Sequence, residues 1–289
     1  MFCVIENSAH AYLYYIESIR FKSQNLFSSF INLFTMTEFI GIRSKLYKEC
    51  LEEFPHARDE EINAIKKYLN PKSNETILEV GAGSGLLSEV LSEVLKNGKL
   101  IVSDPSAEQL QAIKNKPNIQ IVNESVDNLS LEDKTIDAVC SLGAMHHCFN
   151  KTKAFQNFAR ILKPDGRLVI ADVFNGSSLA KHFDVQVAKY CITGHEVAFW
   201  TDEFAESLCF LAGFEKPKIS QLNIRWKFSS KEDVGIFLYK IHAMTKTTPA
   251  ECLRGAEEIL GIIKKDNQYY LGWPLKVIIT KKINPKPSL

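Results

Sequence analysis

The chain has 289 residues and a formal net charge of +1, because 35 lysines and arginines nearly balance 34 aspartates and glutamates. Such an even balance provides no bulk attraction for a phosphate backbone, so nucleic acid is not an expected partner. With 45% apolar and 24% charged residues, the composition is that of a globular protein with a full core and argues against global disorder.

The seven cysteines stand singly along the chain, without C-x-x-C spacing. This usage indicates reduced thiols in a cytoplasmic protein and predicts no metal site. No run reaches the ~18 uncharged apolar residues of a spanning helix, so no membrane partner is expected. Residues 1–35 lack a basic leading segment, and Glu6, Glu17, Arg20 and Lys22 interrupt their apolar runs. They are interpreted as an N-terminal extension and not as a signal peptide.

Two helices are predicted over residues 36–70, where Ile62, Ile65 and Leu69 recur at helical spacing before Asn70 and Pro71. From Glu75 onward strands and helices alternate, which implies a parallel sheet flanked by helices. The predicted elements are strand 76–80, helix 86–95, strand 99–104, helix 106–115, strands 119–124 and 136–141, helix 151–162 capped by Asn150, a turn at 163–166 and strand 167–173.

A helical insertion is predicted over residues 178–192, above the carboxyl edge of the sheet, and helix 201–214 restores the alternation. Strand 216–228, helices to about residue 265 and a last strand at 275–282 follow. The predicted fold is a Rossmann-like, doubly wound, mostly parallel α/β sheet with helices on both faces, an N-terminal helical cap and C-terminal additions. The predicted segments are the extension 1–35, the helices 36–70 covering the site, the core 71–221 and the C-terminal helices and last strand 222–289.

A glycine-rich turn, GAGSG at residues 81–85, lies between the first strand and the next helix. Glycines there let the backbone approach a ligand closely. A dinucleotide fingerprint needs a third glycine where Leu86 stands, and a phosphate-binding loop needs Lys-Ser/Thr where Leu86 and Leu87 stand. Glu79, just upstream, favours a ligand that carries an ammonium group over a polyphosphate.

Four segments occur in order between about Glu75 and Val173: LEVGAGSG, VSDPSAEQL, IDAVCSLGAMHH and RILKPDGRLVIAD. Together they resemble the class I S-adenosylmethionine-dependent methyltransferases, in particular the small-molecule, type 11-like branch. The resemblance implies an enzyme that uses S-adenosylmethionine to methylate an O, N or C atom of a small organic acceptor. A non-catalytic scaffold or sensor that binds S-adenosylmethionine is the alternative. A nicotinamide-dependent oxidoreductase ranks last, because Leu86 replaces the third glycine and no Tyr-x-x-x-Lys pattern follows.

The resemblance implies that Glu79 and the amides of the turn hold the methionine moiety, and that Asp104 accepts both ribose hydroxyls. A carboxylate at the end of the second strand is where doubly wound sheets bind ribose, although Asp104 could instead cap the following helix. Ser125 stands where relatives carry an acid that contacts adenine, and Glu124 or Asp127 could substitute. The full predicted cofactor set is Glu79, Gly81, Ala82, Gly83, Gly85, Asp104, Pro105, Ser125, Val126 and Leu142.

His146 and His147 follow the fourth strand, at the edge where a methyl acceptor should lie, and are the candidates for a catalytic base. The alternative is a structural role in the loop, and at most one of the two is expected to face the substrate. Gly143-Ala144-Met145-His146 replaces the Asn/Asp-Pro-Pro-aromatic tetrad of methyltransferases that act on nucleobases or glutamine amides, so those acceptors are not expected.

Several aromatic and polar residues are candidates for a pocket or its cover. Aromatic side chains after the fifth strand either line an apolar acceptor pocket or pack in the core; they are Phe174, Phe183, Tyr190, Phe199 and Trp200, with Trp226 and Tyr239 further on. Tyr47, His56 and Arg58 are candidates for a lid over the cofactor.

Overall fold

The computed structural model describes residues 39–195 and 197–284 of the chain. The predicted extension at residues 1–35 lies outside the described residues. Within the described ranges, no helix is both long enough and apolar enough to cross a membrane.

One mixed sheet forms the centre of the fold. In the described part of the chain its strands are β1 Thr76–Val80, β2 Lys99–Ser103, β3 Ile119–Val122, β4 Ile136–Leu142, β5 Leu162–Asp172, β6 Lys218–Phe228, β7 Ile262–Lys265 and β8 Gln268–Lys281. Their spatial order is β3-β2-β1-β4-β5-β8-β6, with β7 paired to β8. Strands β1 to β5 are parallel, whereas β8 runs antiparallel to β5, β6 and β7. The mostly parallel, Rossmann-like sheet predicted from the sequence is confirmed.

Helices cover both faces of the sheet. They are α1 Ile42–Glu53, α2 Asp59–Leu69, α3 Leu86–Val94, α4 Ala107–Leu110, α5 Lys151–Ile161, α6 Ser178–His182, a π-helical turn Phe183–Val187, α7 Ala188–Tyr190, α8 Asp202–Ala212, α9 Lys231–Ile241 and α10 Pro249–Ile259. Because alternate strand residues point to opposite faces, Ile77 packs with α1 to α3, α9 and α10, whereas Leu78 packs with α5 and α8.

The direction of strand addition reverses at β1. From β1 the chain proceeds outward to β2 and β3 and then returns to place β4 on the opposite side of β1. The loops that leave β1 and β4 therefore separate at the carboxyl edge of the sheet and open a crevice between them. In doubly wound sheets such a switch point is where ligands bind.

The C-terminal hairpin corrects the predicted helices near residue 265. Residues Ile262–Lys265 form strand β7, and β8 begins at Gln268, seven residues before the predicted position 275. Gly261, with φ of +78°, separates helix α10 from β7, and Asp266 and Asn267 both have positive φ, as a two-residue hairpin turn requires. The predicted boundary between the core and the C-terminal segment, at residue 221, falls inside β6.

Two shorter departures have local causes. The helix predicted over 106–115 ends at Leu110, after which Ala112 and Ile113 donate to carbonyls only three residues back, which tightens the last turn. The turn predicted at 163–166 interrupts the pairing of β4 and β5, because Ile136 pairs with Leu162 but Ala138 pairs with Arg167.

Candidate active site

A cavity lies at the carboxyl ends of β1, β2, β4 and β5, where the strand order reverses. Gly81, Asp104, Leu142 and Val173, each from the end of one of these strands, contribute to its wall. Helices α1, α2 and α9, the insertion and strands β6 and β8 supply the other sides. The volume of the cavity is about 120 Å³.

The glycine turn is tied to the end of β2 by its own amides. The amides of Gly81 and Ala82 donate to the carbonyl oxygen of Ser103, at 2.8 and 3.2 Å, and the amide of Gly83 donates to Asp104 Oδ2 at 2.9 Å. These amides are therefore not available to hold the methionine moiety as expected from the resemblance. The carbonyl oxygens of Gly81 and Gly83 accept no hydrogen bond from the described residues, so they are the groups that the turn offers to a ligand.

Packing, in addition to ligand access, requires glycine at position 81. Gly81 has φ of +65°, and a Cβ placed there would lie 2.2 Å from Cβ of Ala144 in the loop after β4. At Gly85 a Cβ would lie 2.8 Å from Ile113. At Gly83 a Cβ would meet nothing closer than 3.8 Å, so of the three glycines only this one has room for a side chain without a clash.

We expect Gly81→Ala to lower the free energy of unfolding by about 1–3 kcal/mol through overpacking, in addition to about 1–3 kcal/mol for the left-handed backbone. Gly176→Ala is the matched control, since Gly176 has φ of +77° and an added Cβ would meet nothing within 4 Å. Urea unfolding of both variants separates the two effects. Adding Ala144→Gly to Gly81→Ala should restore most of the excess loss, and an equal loss in both single variants would contradict the packing argument.

Asp104 combines a structural bond to the turn with a place in the cavity wall. Its Oδ1 accepts from the amide of Ser106 at 2.8 Å and its Oδ2 from the amide of Gly83, while 8% of the residue is exposed. Burial raises the pKa of the carboxyl, although the two amide bonds oppose that rise. The N-cap of α4 is Ser106, whose hydroxyl accepts from the amide of Gln109, so the capping alternative for Asp104 is wrong.

Glu79 lies beneath the turn and not among the residues that line the cavity. It is 3% exposed, and its Oε2 accepts from the hydroxyl of Ser88 at 2.6 Å. Burial raises the pKa of the Glu79 carboxyl to about 8. The carboxyl is therefore largely protonated at neutral pH.

The residues predicted to contact adenine lie outside the cavity wall. The Ser125 hydroxyl donates to Asp127 Oδ1 at 2.6 Å, whereas the Glu124 carboxylate accepts from the amide and the hydroxyl of Ser130. Of the two flanking acids, Asp127 is thus the one held beside Ser125. Pro105 and Val126 also lie outside the wall, as do Ala82 and Gly85.

His146 is held by a buried carboxylate. Its backbone amide donates to Asp172 Oδ2 at 2.9 Å, and its Nδ1 lies 2.6 Å from Asp172 Oδ1. Burial alone would raise the pKa of Asp172, but the charge and hydrogen bond of His146 outweigh it and bring that pKa below its ordinary value. An ionised carboxylate only accepts hydrogen bonds, so Nδ1 of His146 carries the proton that it donates to Asp172.

Both adjacent histidines line the cavity, contrary to the expectation that only one would. The short 3₁₀ turn Met145–His147 brings the two rings to 4.2 Å between centroids, so that they do not point apart. The ring of His147 also meets Phe39 edge-on at 5.5 Å.

Sequence reasoning missed two further histidines of the cavity wall, His195 and His242. His195 follows the insertion, and its ring stacks on Phe183 at 4.7 Å between centroids. Burial lowers the pKa of both histidines, so both are neutral at physiological pH. Neither residue adjoins a recognised motif. The signal that could have found His195 is its place three residues after an insertion predicted to lie above the carboxyl edge of the sheet; His242 has no such signal.

Some of the predicted aromatic and lid residues line the cavity, and others do not. Phe183 and Trp226 line the cavity, whereas Phe174 and Trp200 belong to the core on the other face of the sheet. Three further aromatic residues pack against the core on the same face of the sheet as the cavity but do not line the cavity; they are Tyr190, Phe199 and Tyr239.

Of the predicted lid residues, Tyr47 and Arg58 line the cavity, and Arg58 donates to the Tyr47 hydroxyl and to Glu61. His56 does not line the cavity. Its side chain is 78% exposed and is hydrogen bonded to Asp59.

Part of this chain is similar to known methyltransferases. Residues 78–170 match the family model of a methyltransferase domain. An uncharacterized methyltransferase of Schizosaccharomyces pombe is 31% identical over 132 residues, which cover 44% of this chain and 51% of that protein. The ubiquinone/menaquinone biosynthesis C-methyltransferase UbiE of Campylobacter jejuni is 31% identical over 107 residues, which cover 35% of this chain and 46% of that protein. The chain thus spans about half the length of the curated relatives it matches.

A solved structure shows the same fold with a cofactor product. Phosphoethanolamine N-methyltransferase 2 of Haemonchus contortus, in complex with phosphomonomethylethanolamine and S-adenosylhomocysteine, superposes with a TM-score of 0.55 at 15% identity. The alignment covers 78% of this chain and 52% of that one. Residues 78–170 are thus similar to a methyltransferase domain, on a fold that the solved structure shares.

Proposed function

We propose that this protein transfers the methyl group of S-adenosylmethionine to an O, N or C atom of a small organic acceptor. The observation that carries the proposal is one cavity whose wall contains the glycine turn and Asp104 on one side and His146, oriented by Asp172, on the other. A cofactor-binding edge and a group able to act on an acceptor thus face the same space.

The residues of the turn fit the charges of the cofactor. Free carbonyl oxygens at Gly81 and Gly83 suit an ammonium group, which only donates hydrogen bonds. Each oxygen of Asp104 uses one lone pair on a backbone amide, so the carboxylate retains lone pairs for ribose hydroxyls. Gly83 leaves room beside both. We infer that these residues hold the methionine and ribose moieties.

The acceptor side of the cavity is rich in aromatic rings, and the same wall also contains charged side chains, Arg43 among them. His195 and His242 are neutral, and Phe183 and Trp273 contribute rings to the wall. Such a lining suits a compact organic molecule with one or two polar groups. The quinone-biosynthesis relative is consistent with an acceptor of this class. A cytoplasmic location and the lack of a nucleic-acid partner stay predictions from the sequence.

Methyl transfer asks the protein chiefly to align two groups. S-adenosylmethionine supplies an electrophilic methyl group on a sulfonium. Holding the acceptor in line with that group can contribute about 7–11 kcal/mol in favourable cases. His146 and His147 line the acceptor side, so they remain the candidates for activating the acceptor atom, with Asp172 fixing the orientation of His146.

Two measurements test the proposed function. In calorimetric titrations of the full chain, S-adenosylmethionine and S-adenosylhomocysteine should bind, whereas NAD should not. Incubation with methyl-labelled S-adenosylmethionine and a fractionated metabolite extract should then label a small molecule. Binding of the two cofactor forms without transfer to any fraction would favour the scaffold or sensor alternative, and tight binding of NAD would overturn both.

Glu79 makes cofactor affinity depend on pH. Because the pKa of this carboxyl is raised to about 8, ionising it at neutral pH costs free energy that a cationic ligand nearby repays. We expect the affinity for S-adenosylmethionine to rise from about pH 6 to about pH 8, and Glu79→Gln to lack this rise. Calorimetry across the range checks both proteins. The same slope in the variant would assign the pH dependence to another group.

The raised pKa of Glu79 makes folding stability change with pH in the opposite direction to cofactor affinity. The folded protein keeps a proton that the unfolded chain releases above its ordinary pKa of 4.5. The contribution of Glu79 to stability is therefore present at low pH and is lost as the pH rises toward about 8.

A further inference from the structure

Three histidines of the cavity form a compact cluster, the histidine triad of His146, His147 and His195. One ring nitrogen from each lies within 4.8 Å of those of the other two. The two chain segments that carry them are joined, because the amide of Ala198 donates to the carbonyl oxygen of His146 at 3.2 Å. The triad is therefore built into the fold by the loop after β4 and the loop after the insertion.

His146 has the arrangement of a metal-binding histidine. Its Nδ1–H donates to the Asp172 carboxylate, which fixes the ring and leaves Nε2 as the ring nitrogen that could bind a metal ion, and the residue lines the cavity. A carboxylate behind the imidazole is the usual support of a metal ligand, since it sets the tautomer and raises the basicity of the ligating nitrogen.

His195 has two buried nitrogens that need a partner. The residue is only 9% exposed, and neither ring nitrogen is hydrogen bonded to any described residue. Burying such groups without a partner is costly, so native proteins satisfy nearly all of them.

We propose that the histidine triad binds one divalent transition metal ion of the zinc type, with an open coordination position toward the cavity. Three imidazoles and one open position are the ligand set of catalytic zinc sites, whereas calcium and magnesium prefer oxygen ligands. The sequence analysis predicted no metal ligand because the triad joins segments about fifty residues apart, without C-x-x-C spacing.

The open position gives the metal a role in the proposed function, on which this part of the inference rests. An acceptor hydroxyl held there would lose its proton to water at the cavity mouth more readily, since a metal ion lowers the pKa of a bound group. The acceptor oxygen would form the new bond to the methyl carbon as the bond between that carbon and sulfur breaks, with S-adenosylhomocysteine as the leaving group. In this arrangement His146 activates the acceptor through the metal and does not itself take the proton.

The test uses the full chain without a histidine tag, stripped of metal and titrated with Zn²⁺ by calorimetry and with Co²⁺ by visible absorption. One ion per chain and the absorption of tetrahedral Co²⁺ are expected. His195→Ala and His147→Ala should remove most of the binding, and Asp172→Asn should weaken it by about 10- to 100-fold. His56→Ala is the control, because His56 is exposed and lies outside the cavity wall.

Circular dichroism must show each variant folded, and His195→Gln replaces His195→Ala if the latter is not. Equal Zn²⁺ affinity in the native protein and in folded His195 and His147 variants would overturn the proposal, as would an affinity lost in His56→Ala, which indicates an adventitious ion. Because these titrations contain no cofactor, a negative result leaves methyl transfer untouched. Failure of S-adenosylhomocysteine binding would likewise leave the metal site untouched.

Discussion

Replacing His146 by alanine is expected to lower the turnover number by about 10²- to 10⁴-fold, the range in which a positioned proton-transfer group contributes to catalysis. The imidazole of His146 lines the cavity, and the Asp172 carboxylate fixes its orientation. The loss follows whether the ring activates the acceptor directly or through a bound metal. Initial rates with an identified acceptor and labelled cofactor measure it.

The control for His146 separates chemistry from binding. S-adenosylhomocysteine affinity should be nearly unchanged in His146→Ala, since the cofactor is assigned to the glycine turn and Asp104. Asp172→Asn should lose activity in the same direction, because an amide can present its NH₂ to Nδ1 and reverse the tautomer of the ring. Full activity in both His146→Ala and His147→Ala would reduce the pair to a structural role.

Replacing Asp104 by alanine is expected to weaken S-adenosylhomocysteine binding by about 10- to 100-fold for each ribose hydrogen bond lost. Hydrogen bonds to a charged group contribute about 1.5–3 kcal/mol each, and about 1.4 kcal/mol corresponds to a tenfold change in affinity. The amides of Gly83 and Ser106 also lose their acceptor in this variant. Stability should therefore fall by about 1–3 kcal/mol for each amide left unsatisfied.

Ser106→Ala is the matched control for Asp104→Ala. It removes the side chain that caps α4 and donates to the carbonyl oxygen of Phe39, but it leaves the carboxylate in place. It should lose stability by about 1 kcal/mol, the usual effect of a lost cap, with little change in cofactor affinity. Calorimetry and urea unfolding of both variants test this. If Asp104→Ala keeps native affinity, the ribose assignment is wrong.

The local sequence pattern was sufficient to predict strand β1 and the cap of helix α5. The strand before the turn runs from Thr76 to Val80 as expected, because a short apolar run followed by closely spaced glycines has few alternative conformations. Asn150 was identified correctly as a cap, since its Oδ1 accepts from the amide of Lys153. In each case the signal and its structural consequence lie within a few residues of each other.

Features that depend on distant segments were not predictable from one sequence. His195 reaches His146 only because the insertion folds back over the sheet, and no spacing rule connects these two positions. The amides of the glycine turn were expected to face the ligand, but the carbonyl of Ser103 and the carboxylate of Asp104 bind them. Which partner a backbone amide takes depends on the neighbouring strand, and the motif alone does not contain that information.

A crystal structure of the full chain with bound S-adenosylhomocysteine tests the central claim most directly. The nucleoside should lie at the ends of β1 and β2, with its ribose hydroxyls on Asp104, its ammonium on the carbonyls of Gly81 and Gly83, and its sulfur toward His146. A nucleoside whose ribose does not contact Asp104, or whose sulfur faces away from the histidine side of the cavity, would contradict it.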